Sequence, residues 1–354
     1  MINPGPGLLD IDIRSAIEEI KCNKAVGVDD IPIEFWKSLG ELSMRELSGL
    51  CKQIYESGIW PDYFTKVVMI TLPKTAHAVE CADHRTISLL SHVAKILLKI
   101  ITKRVESKVR DYIGCNQFGF RKRLGTREYS VHRNYERVVW KYGAWQQSIY
   151  ISFVDFEKAF DRVNWIRMME ALKSLGIDWK DRRLIKELYL RQEAVVRIEG
   201  IDSDPGTIGR GVRQGCPMSP LLFSIYTEMM MNEAMEGSKD GVRVGGELIR
   251  DVRFADDQGM VDLCEEGLQR TMDRLNKTAK EYNMKINVKK TKTMVISTEE
   301  GSQVNIIVDG QRVEQVITFK YLGSILSRDG RCVDDVKARI GTWQKMLLTR
   351  DANF

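Results

Sequence analysis

The 354-residue sequence lacks the features that mark secreted, membrane-spanning and disulfide-bonded proteins. Its seven cysteines lie far apart with no CxxC pair, so we expect reduced thiols in an intracellular protein and no structural zinc. The N-terminus has no basic segment followed by an apolar core and a cleavage site, so we expect no signal peptide. No apolar run approaches the roughly 20 residues that span a bilayer, so we expect no membrane partner.

A strong excess of charge of either sign is also absent, because 54 Lys and Arg residues stand against 49 Asp and Glu residues. This balance permits nucleic-acid binding but does not argue for it. The basic residues are nevertheless unevenly distributed, and one stretch has few acids among Lys103, Arg104, Lys108, Arg110, Arg121, Lys122, Arg123 and Arg127. That stretch is either a solvated helix face followed by a loop or a surface for phosphate.

The 43% of residues that are apolar form segments with clear helical or strand-like spacing. Helical spacing predicts a long amphipathic helix over 88–112 and another over 127–142. Apolar runs predict strands at 149–154 and 207–213, and a strand, tight turn and strand over 248–263. Helices followed by such a β-α-β-β-α core predict an α+β fold.

Three aspartates stand at the ends of these predicted strands. Asp155 follows the strand at 149–154, while Asp256 and Asp257 occupy the hairpin tip. Neighbouring strands of one sheet would bring them together, and Mg²⁺ is a hard cation that prefers such oxygen ligands. Two metal ions held there would clamp the attacking and leaving oxygens of a phosphoryl transfer. The Asp-Asp pair alone has the other interpretation of ordinary turn chemistry, since Asp is favoured in hairpin turns.

Further short blocks accompany the aspartates in a fixed order along roughly residues 20–330. These blocks are Leu72–Lys74, Arg85–Leu89, Asn116–Arg121, Val154–Val163, Gly211–Phe223, Phe254–Asp257, Met284–Lys292 and Phe319–Gly323. Together they resemble the motifs of reverse transcriptases from non-LTR (LINE-type) retrotransposons. The resemblance implies an RNA-directed DNA polymerase, which extends the 3′-OH of a DNA primer on an RNA template with dNTPs. It also implies an intracellular location, in the nucleus or cytoplasm of a eukaryotic cell.

The same resemblance implies a right-hand architecture with fingers and palm, an antiparallel palm sheet backed by helices, and a largely absent thumb. Residues 1–145 would form an N-terminal extension and the fingers. Residues 146–330 would form the palm, with a fingers-like insertion at about 178–206. Residues 331–354 would begin the thumb. Protein partners are left open.

The resemblance implies a metal centre for two Mg²⁺ ions, with Mn²⁺ as a possible substitute. Asp155 and Asp256 would be direct ligands, and Asp257 would act as a ligand or as electrostatic support. The backbone carbonyl of Phe156 would complete a coordination shell. Lys290 is the candidate to protonate departing pyrophosphate, although Lys289 and Lys292 are close alternatives in the sequence.

Other residues would contact the incoming nucleotide. Lys74 and Arg85 would bind its triphosphate, since Arg presents a planar fork and Lys a point charge to phosphate oxygens. Gln214 and Gly215 would pack against the templating pair and the nucleotide. Phe160 takes the position of a steric gate against a ribose 2′-OH, and its other interpretation is a core phenylalanine behind the strand.

Two further groups would contact nucleic acid. A basic loop would bind the template backbone through Arg121, Lys122 and Arg123, adding affinity without reading sequence. A primer grip would hold the primer 3′ end through Phe319, Tyr321, Leu322 and Gly323; the alternative is that these residues are simply a buried strand.

The sequence departs from the family pattern in its fingers region. His84-Arg85-Thr86 stands where the family usually has Tyr-Arg-Pro, and valines at 26 and 28 replace prolines of an early motif. No endonuclease domain, full thumb or Cys/His zinc knuckle is recognisable. These departures leave an alternative open: a truncated or decayed remnant that binds RNA without catalysis.

Overall fold

The computed structural model describes residues 5–114, 116–120, 147–297, 299, 301–331 and 333–341. The helix predicted over 127–142 and the basic residues Arg121, Lys122 and Arg123 lie outside the described residues. The chain divides into two compact units, Met1–Ile113 with Phe160–Met229 and Gly114–Ala159 with Met230–Phe354. None of the described helices is both long and apolar enough to cross a membrane.

The helices of the described residues range from 4 to 18 residues in length. They are α1 Asp10–Glu18, α2 Ile33–Lys37, α3 Glu41–Ser57, α4 Asp62–Thr65, α5 His92–Val109, α6 Trp165–Ser174, α7 Trp179–Leu190, α8 Ser219–Met235 and α9 Glu265–Glu281. Short 3₁₀ turns occur at Cys81–Asp83 and Ala159–Arg162, and residues 333–341 are also helical.

The strands are mostly short. They are β1 Lys66–Pro73, β2 His84–Leu89, β3 Ile149–Val154, β4 Glu193–Ile198, β5 Ile201–Asp202, β6 Gly206–Thr207, β7 Val242–Val244, β8 Glu247–Ile249, β9 Asp251–Phe254, β10 Asp257–Asp262, β11 Lys292–Ile296, β12 Ile307–Val308, β13 Gln311–Arg312, β14 Glu314–Gln315, β15 Thr318–Tyr321 and β16 Ser324–Ser327.

The first unit contains a five-stranded sheet in the order β2-β1-β4-β5, with β6 beside β4. β1 is antiparallel to β2 and parallel to β4. The prediction of a helix from residue 88 was wrong at its start, because residues up to Leu89 pair with β1 as a strand. The helix begins only after Ser91, whose side chain accepts a hydrogen bond from the Ala94 N–H and so caps it.

The strand predicted at 207–213 was also wrong beyond its first residue. Only Gly206–Thr207 pairs, against β4. The following segment is held by separate backbone bonds, from the Gly211 N–H to the Val163 carbonyl (2.8 Å) and from the Val212 N–H to the Phe160 carbonyl (2.9 Å). The sequence pattern at 207–213 therefore did not distinguish a paired strand from an extended loop.

The second unit contains the sheet that carries the aspartates, in the order β14-β11-β3-β10-β9. β3 lies at its centre, antiparallel to both β10 and β11, and β14 joins one edge in parallel. Ile149, Ile151 and Phe153 of β3 are buried in one apolar cluster with residues of the neighbouring strands. Since each turns the same way in a period-two strand, β3 is held in register by this face. The predicted α+β fold is confirmed.

Candidate active site

Strand pairing brings the three aspartates to one end of the second unit's sheet. Val154, the last residue of β3, pairs with Gln258 of β10, so Asp155 lies across from Asp257. β9 and β10 are joined by a two-residue turn, Ala255-Asp256, between the paired residues Phe254 and Asp257. The predicted hairpin and its juxtaposition with the end of β3 are therefore present.

The aspartates influence one another electrostatically. Burial raises the pKa of Asp155, the positive charge of Lys290 opposes the shift, and the negative charges of Asp256 and Glu157 add to it. Asp257 is exposed as a residue, yet partial desolvation of its carboxylate raises its pKa to about 6, and Asp256 and Asp155 contribute. A cation placed among these groups would favour their ionised forms and reverse the shifts.

The donor set suits a hard divalent cation, because it consists of carboxylate and carbonyl oxygens without sulfur or imidazole. Within the described ranges, however, no three His, Cys, Asp or Glu side chains form a ready-made metal cluster. The aspartates are thus neighbours on adjoining strands that would have to converge further on an ion.

The backbone around Phe156 leaves its carbonyl outside the local strand bridge. Phe156 bridges Ile286 in antiparallel fashion. The two hydrogen bonds of that bridge are made by the residues on either side of Phe156. The Asp155 carbonyl accepts from the Asn287 N–H (2.8 Å), and the Glu157 N–H donates to the Lys285 carbonyl (2.9 Å). A residue at such a position turns its own N–H and C=O away from the partner segment.

The loop after Met284 is anchored to the end of β3, and the positive charge of Lys290 in this loop lowers the pKa of Asp155. The Asp155 N–H donates to Thr291 Oγ1 (3.3 Å), and Thr291 is fully buried. The Lys292 ammonium is instead paired with Glu314 (2.6 Å). Among Lys289, Lys290 and Lys292, Lys290 is the lysine whose charge influences the pKa of Asp155, and its role as proton donor stays a prediction.

The turn that carries Asp256 is in a costly backbone conformation. Ala255 has φ +58°, in the left-handed region, which costs a residue with a Cβ about 1–2 kcal/mol. Two-residue hairpins that need positive φ at this position favour glycine there. Such strain persists only where the surrounding structure imposes it.

The surrounding structure comes from the block Asn116–Phe120, to which the sequence reasoning gave no role. Gln117 is fully buried, and its side-chain oxygen accepts hydrogen bonds from the N–H groups of Ala255 (3.0 Å) and Gly119 (2.9 Å). The backbone of this block also pairs with β9, through bonds joining Phe118 and Asn116 to Arg253 (both 2.9 Å). The block was visible in the sequence only as a match to a family motif.

The predicted primer-grip residues lie on the hairpin of β15 and β16. The Phe319 ring stacks on Phe153 with centroids 4.3 Å apart, and Tyr321 is buried. The Tyr321 hydroxyl lies 2.9 Å from the Val252 carbonyl and 3.2 Å from the Asp257 carbonyl, so it bridges the two strands of the Asp-Asp hairpin.

Leu322 and Gly323 form the turn between β15 and β16, both with positive φ. Gly323 is exposed and Leu322 packs partly against the apolar cluster. The hairpin therefore belongs structurally with the aspartates, and its contact with a primer stays a prediction.

The predicted triphosphate ligands lie together in the first unit. Arg85 of β2 pairs with Leu72 of β1, and Lys74 follows two residues later at the same end of the pair. Both Lys74 and Arg85 are exposed. The structure thus brings these two cations to one end of the β1–β2 pair.

Gln214 and Gly215 lie against the other part of β2. The Gln214 carbonyl accepts from the Ser88 N–H (2.7 Å). Gly215 has φ +101°, and a Cβ there would lie 2.8 Å from the Ser88 carbonyl oxygen. Both the backbone angle and this close approach require glycine.

Phe160 is half-buried in the first unit, with its ring stacked on Phe223 at a centroid distance of 4.5 Å. One ring face is therefore used in packing, as the core interpretation expects. The partial exposure is what a steric gate needs, so both interpretations remain.

The first unit also holds a buried residue that the sequence reasoning passed over. Arg213, only 3% exposed, donates to the Gln192 side-chain oxygen (2.8 Å) and to the Leu188 carbonyl (2.9 Å). It fastens the segment that carries Gln214. Its position inside the matched block was the only signal, because a charged residue is not expected in a core.

Among solved structures, the chain is similar to apo telomerase from Candida tropicalis truncated from its C-terminal domain. The TM-score is 0.55 and the identity 14%, over 86% of this chain and 60% of that one. A likeness at this identity shows the fold alone. The described chain therefore shares the α+β fold of that structure.

A family profile described as reverse transcriptase (RNA-dependent DNA polymerase) matches residues 72–326. The chain belongs to this family. It is 26% identical over 336 residues to the RNA-directed DNA polymerase from mobile element jockey of Drosophila melanogaster, covering 90% of this chain and 35% of that protein. It is 25% identical over 336 residues to a Pol polyprotein from the type-1 retrotransposable element R2 of Nasonia vitripennis, covering 89% and 31%.

The chain therefore spans about a third of the length of the curated relatives it matches. These relatives come from non-LTR (LINE-type) retrotransposons, as the motif resemblance predicts.

Proposed function

We propose that the chain is the polymerase portion of a retrotransposon reverse transcriptase, which extends a DNA primer 3′-OH on an RNA template with dNTPs. The observation that carries this proposal is the meeting of Asp155, Asp256 and Asp257 at one sheet end. The positive charge of Lys290, which lowers the pKa of Asp155, supports it. The family membership supports the same reaction class.

Asp155, Asp256, Asp257 and the Phe156 carbonyl would hold two Mg²⁺ ions, or Mn²⁺ in their place. When bound, such ions stabilise the charge on the attacking and leaving oxygens of an in-line phosphoryl transfer. Burial and neighbouring negative charges raise the pKa values of Asp155 and Asp257. A bound cation would lower both pKa values and so favour the ionised carboxylates that hold it. The Lys290 Nζ would donate a proton to the departing pyrophosphate oxygen.

In the first unit, Lys74 and Arg85 would bind triphosphate oxygens, and Gln214 and Gly215 would contact the nucleotide and its template base. Phe160 would exclude a ribose 2′-OH. Arg121, Lys122 and Arg123 would bind the template backbone. In the second unit, the hairpin of Phe319, Tyr321, Leu322 and Gly323 would hold the primer end.

We further propose the division into an N-terminal extension and fingers (1–145), a palm (146–330) and the start of a thumb (331–354). RNA and DNA are the proposed partners, and the nucleus or cytoplasm of a eukaryotic cell is the proposed site of action.

A primer-extension assay tests the function. Poly(rA) template, oligo(dT) primer and dTTP are supplied with Mg²⁺ or Mn²⁺ to the chain and to its Asp256→Asn variant. Extension by the chain and its loss in the variant are expected, because a neutral amide cannot replace a carboxylate ligand. Extension that survives the substitution would refute the proposed role of Asp256.

Two further outcomes distinguish alternatives. Binding of the template without any extension favours a non-catalytic RNA-binding remnant. Incorporation of rTTP as readily as dTTP removes the proposed gate at Phe160 while leaving the polymerase function in place.

A further inference from the structure

The two turn residues between β9 and β10, Ala255 and Asp256, form what is called below the Asp-Asp turn. This turn differs from the other two-residue hairpin turns of the described residues. Four of them have positive φ at both turn residues and glycine at the second: Glu199-Gly200, Gly245-Gly246, Asp309-Gly310 and Leu322-Gly323. This is the composition that such turns favour. In Ala255-Asp256, positive φ falls on alanine and there is no glycine. The residues of this turn therefore do not account for its conformation.

A buried side chain from another part of the chain supports the conformation that the turn residues do not favour by themselves. The Gln117 side-chain oxygen accepts from the Ala255 N–H (3.0 Å) and, at the same time, from the Gly119 N–H (2.9 Å). Both bonds are buried, so water does not compete for the two donors. An amide oxygen has two lone pairs, and here each has a backbone donor.

The position of Gly119 shows how closely this support fits. A Cβ added to Gly119 would clash with the backbone nitrogen of Ala255. The segment Gln117–Gly119 thus lies directly against the peptide that joins Phe254 to Ala255. Its backbone is also paired with β9 through Arg253, so Gln117 is carried by a fixed element rather than by a loose loop.

We propose that Gln117 is a positioning residue for Asp256: its side-chain oxygen holds Ala255 in the left-handed conformation and so sets where the Asp256 carboxylate lies. The catalytic consequence rests on the proposed function, whereas the structural consequence does not. Without the Gln117 side-chain oxygen, the buried N–H groups of Ala255 and Gly119 lose their acceptor. Negative φ then becomes the more stable conformation of Ala255. The carboxylate then moves, and displacements of about 1 Å at a reacting centre cost roughly a hundredfold in rate.

The test compares Gln117→Met with a matched glutamine elsewhere in the second unit. Methionine keeps the length and flexibility of the side chain and removes the acceptor. Gln315 is the control, because its side-chain oxygen likewise accepts a backbone N–H, from Val304 at 3.0 Å, away from the Asp-Asp turn. If Gln117→Met does not fold, Gln117→Asn withdraws the amide by one methylene and serves instead.

Three measurements are made on the full chain. Amide hydrogen exchange of the peptide containing Ala255 reports the turn directly. Calorimetric titration with Mn²⁺, without primer or template, reports the carboxylates. Primer extension gives kcat and the KM for dTTP.

For Gln117→Met we expect at least about tenfold faster exchange at Ala255, since a buried hydrogen bond is lost. We expect Mn²⁺ affinity to fall about tenfold, because the loss of contacts that orient metal ligands typically lowers metal affinity by about that factor or more. We expect kcat to fall about a hundredfold with KM within about threefold, because positioning rather than nucleotide binding is lost. Gln315→Met should change the exchange at Ala255 and kcat less than about twofold.

Ala255→Gly in the Gln117→Met background provides a rescue, because glycine adopts positive φ without strain. Recovery of at least about tenfold in kcat is expected, and a general packing defect would not respond in this way. Unchanged exchange at Ala255 in Gln117→Met, or no recovery with Ala255→Gly, would overturn the proposal. If the chain itself shows no extension, the proposed function fails, while the exchange and Mn²⁺ results still decide the role of Gln117.

Discussion

The second unit contains two hairpins that touch each other yet are stabilised in different ways. The β15–β16 turn has Gly323 at a position with positive φ, so its conformation follows from its own residues. The β9–β10 turn has Ala255 and Asp256, and its conformation depends on Gln117, distant in the chain, and on Tyr321 of the other hairpin. A glycine at position 255 would let the β9–β10 turn adopt positive φ without this support.

The Asp-Asp hairpin is a candidate site of strict geometry that is built on a strained backbone. Strain of about 1–2 kcal/mol at Ala255 is offset by buried hydrogen bonds that hold a single conformation. Strain at functional sites is sustained by the structure around it rather than by the strained residue. The Asp-Asp turn is thus a tertiary feature, whereas the neighbouring turn is a local one.

The largest expected effect is the loss of primer extension when Asp256 of the Asp-Asp turn, rather than an aspartate of an ordinary turn, loses its charge. Asp256→Asn should lower primer extension about a thousandfold, since several kcal/mol of charge stabilisation corresponds to about three decades in rate. The control is Asp309→Asn in the Asp309-Gly310 turn, where asparagine also tolerates positive φ. Extension rates of both variants make the measurement, and equal losses would mean that Asp256 matters only as a turn residue.

A smaller effect is expected from crowding the segment that supports the turn. Gly119→Ala places a methyl group against the Ala255 backbone, and overpacking of this kind costs about 1–3 kcal/mol of unfolding free energy. Extension should fall as well, because the displaced peptide precedes Asp256. Urea unfolding and primer extension are the measurements.

Gly49→Ala is the matched control for Gly119→Ala. Gly49 lies within α3, and an added Cβ there meets nothing. Alanine should therefore raise the unfolding free energy by about 0.5–1 kcal/mol and leave extension unchanged. Destabilisation by both substitutions would show that an added methyl group destabilises the chain at either position. It would contradict a specific effect of the contact between Gly119 and Ala255.

A still smaller effect is expected from the contact between the two hairpins. Tyr321→Phe removes the hydroxyl that bridges the Val252 and Asp257 carbonyls and keeps the ring against Phe153. The loss of one buried hydrogen bond should lower the unfolding free energy by about 0.5–1.5 kcal/mol. Thermal unfolding and extension are measured together. An unaltered midpoint would show that the hydroxyl does not hold the hairpins together.

The smallest effect concerns an ordinary turn in the first unit. Glu199 is exposed, has φ +50° and precedes Gly200. Glu199→Asn should raise the unfolding free energy by about 0.5 kcal/mol, because asparagine is favoured at this turn position. Denaturant midpoints check the gain. A loss of stability here would contradict the view that ordinary turns of this chain follow local preference.

Much of the fold follows from local pattern. The apolar run of β3, the hairpin around Asp256 and most of α5 were predictable because burial of one face imposes a period on the sequence. The start of α5 was not, since Leu89 continues the helical spacing of the apolar residues that follow it, and only pairing with β1 makes residues 88 and 89 part of a strand. Periodicity reports burial, and pairing partners far along the chain decide the rest.

The candidate site was predictable to a similar extent. The motif match indicated Asp155, Asp256 and Asp257, and strand pairing brings them together. The partners of the backbone were not predictable, because a sequence does not say which carbonyl a buried Gln117 or Tyr321 will meet. The preference for Lys290 over Lys292 likewise came from Glu314, which pairs with Lys292 on a neighbouring strand.

The family of this protein, its α+β class and the carboxylates of its candidate centre follow from the amino-acid sequence alone. They rest on residue identity and on short-range order, which are properties of the chain before it folds. The support of Ala255 in the left-handed region, and the choice of the lysine whose charge acts on Asp155, depend on tertiary contacts. Those features depend on hydrogen bonds and charges between residues far apart in the chain, and such contacts exist only after the strands have paired.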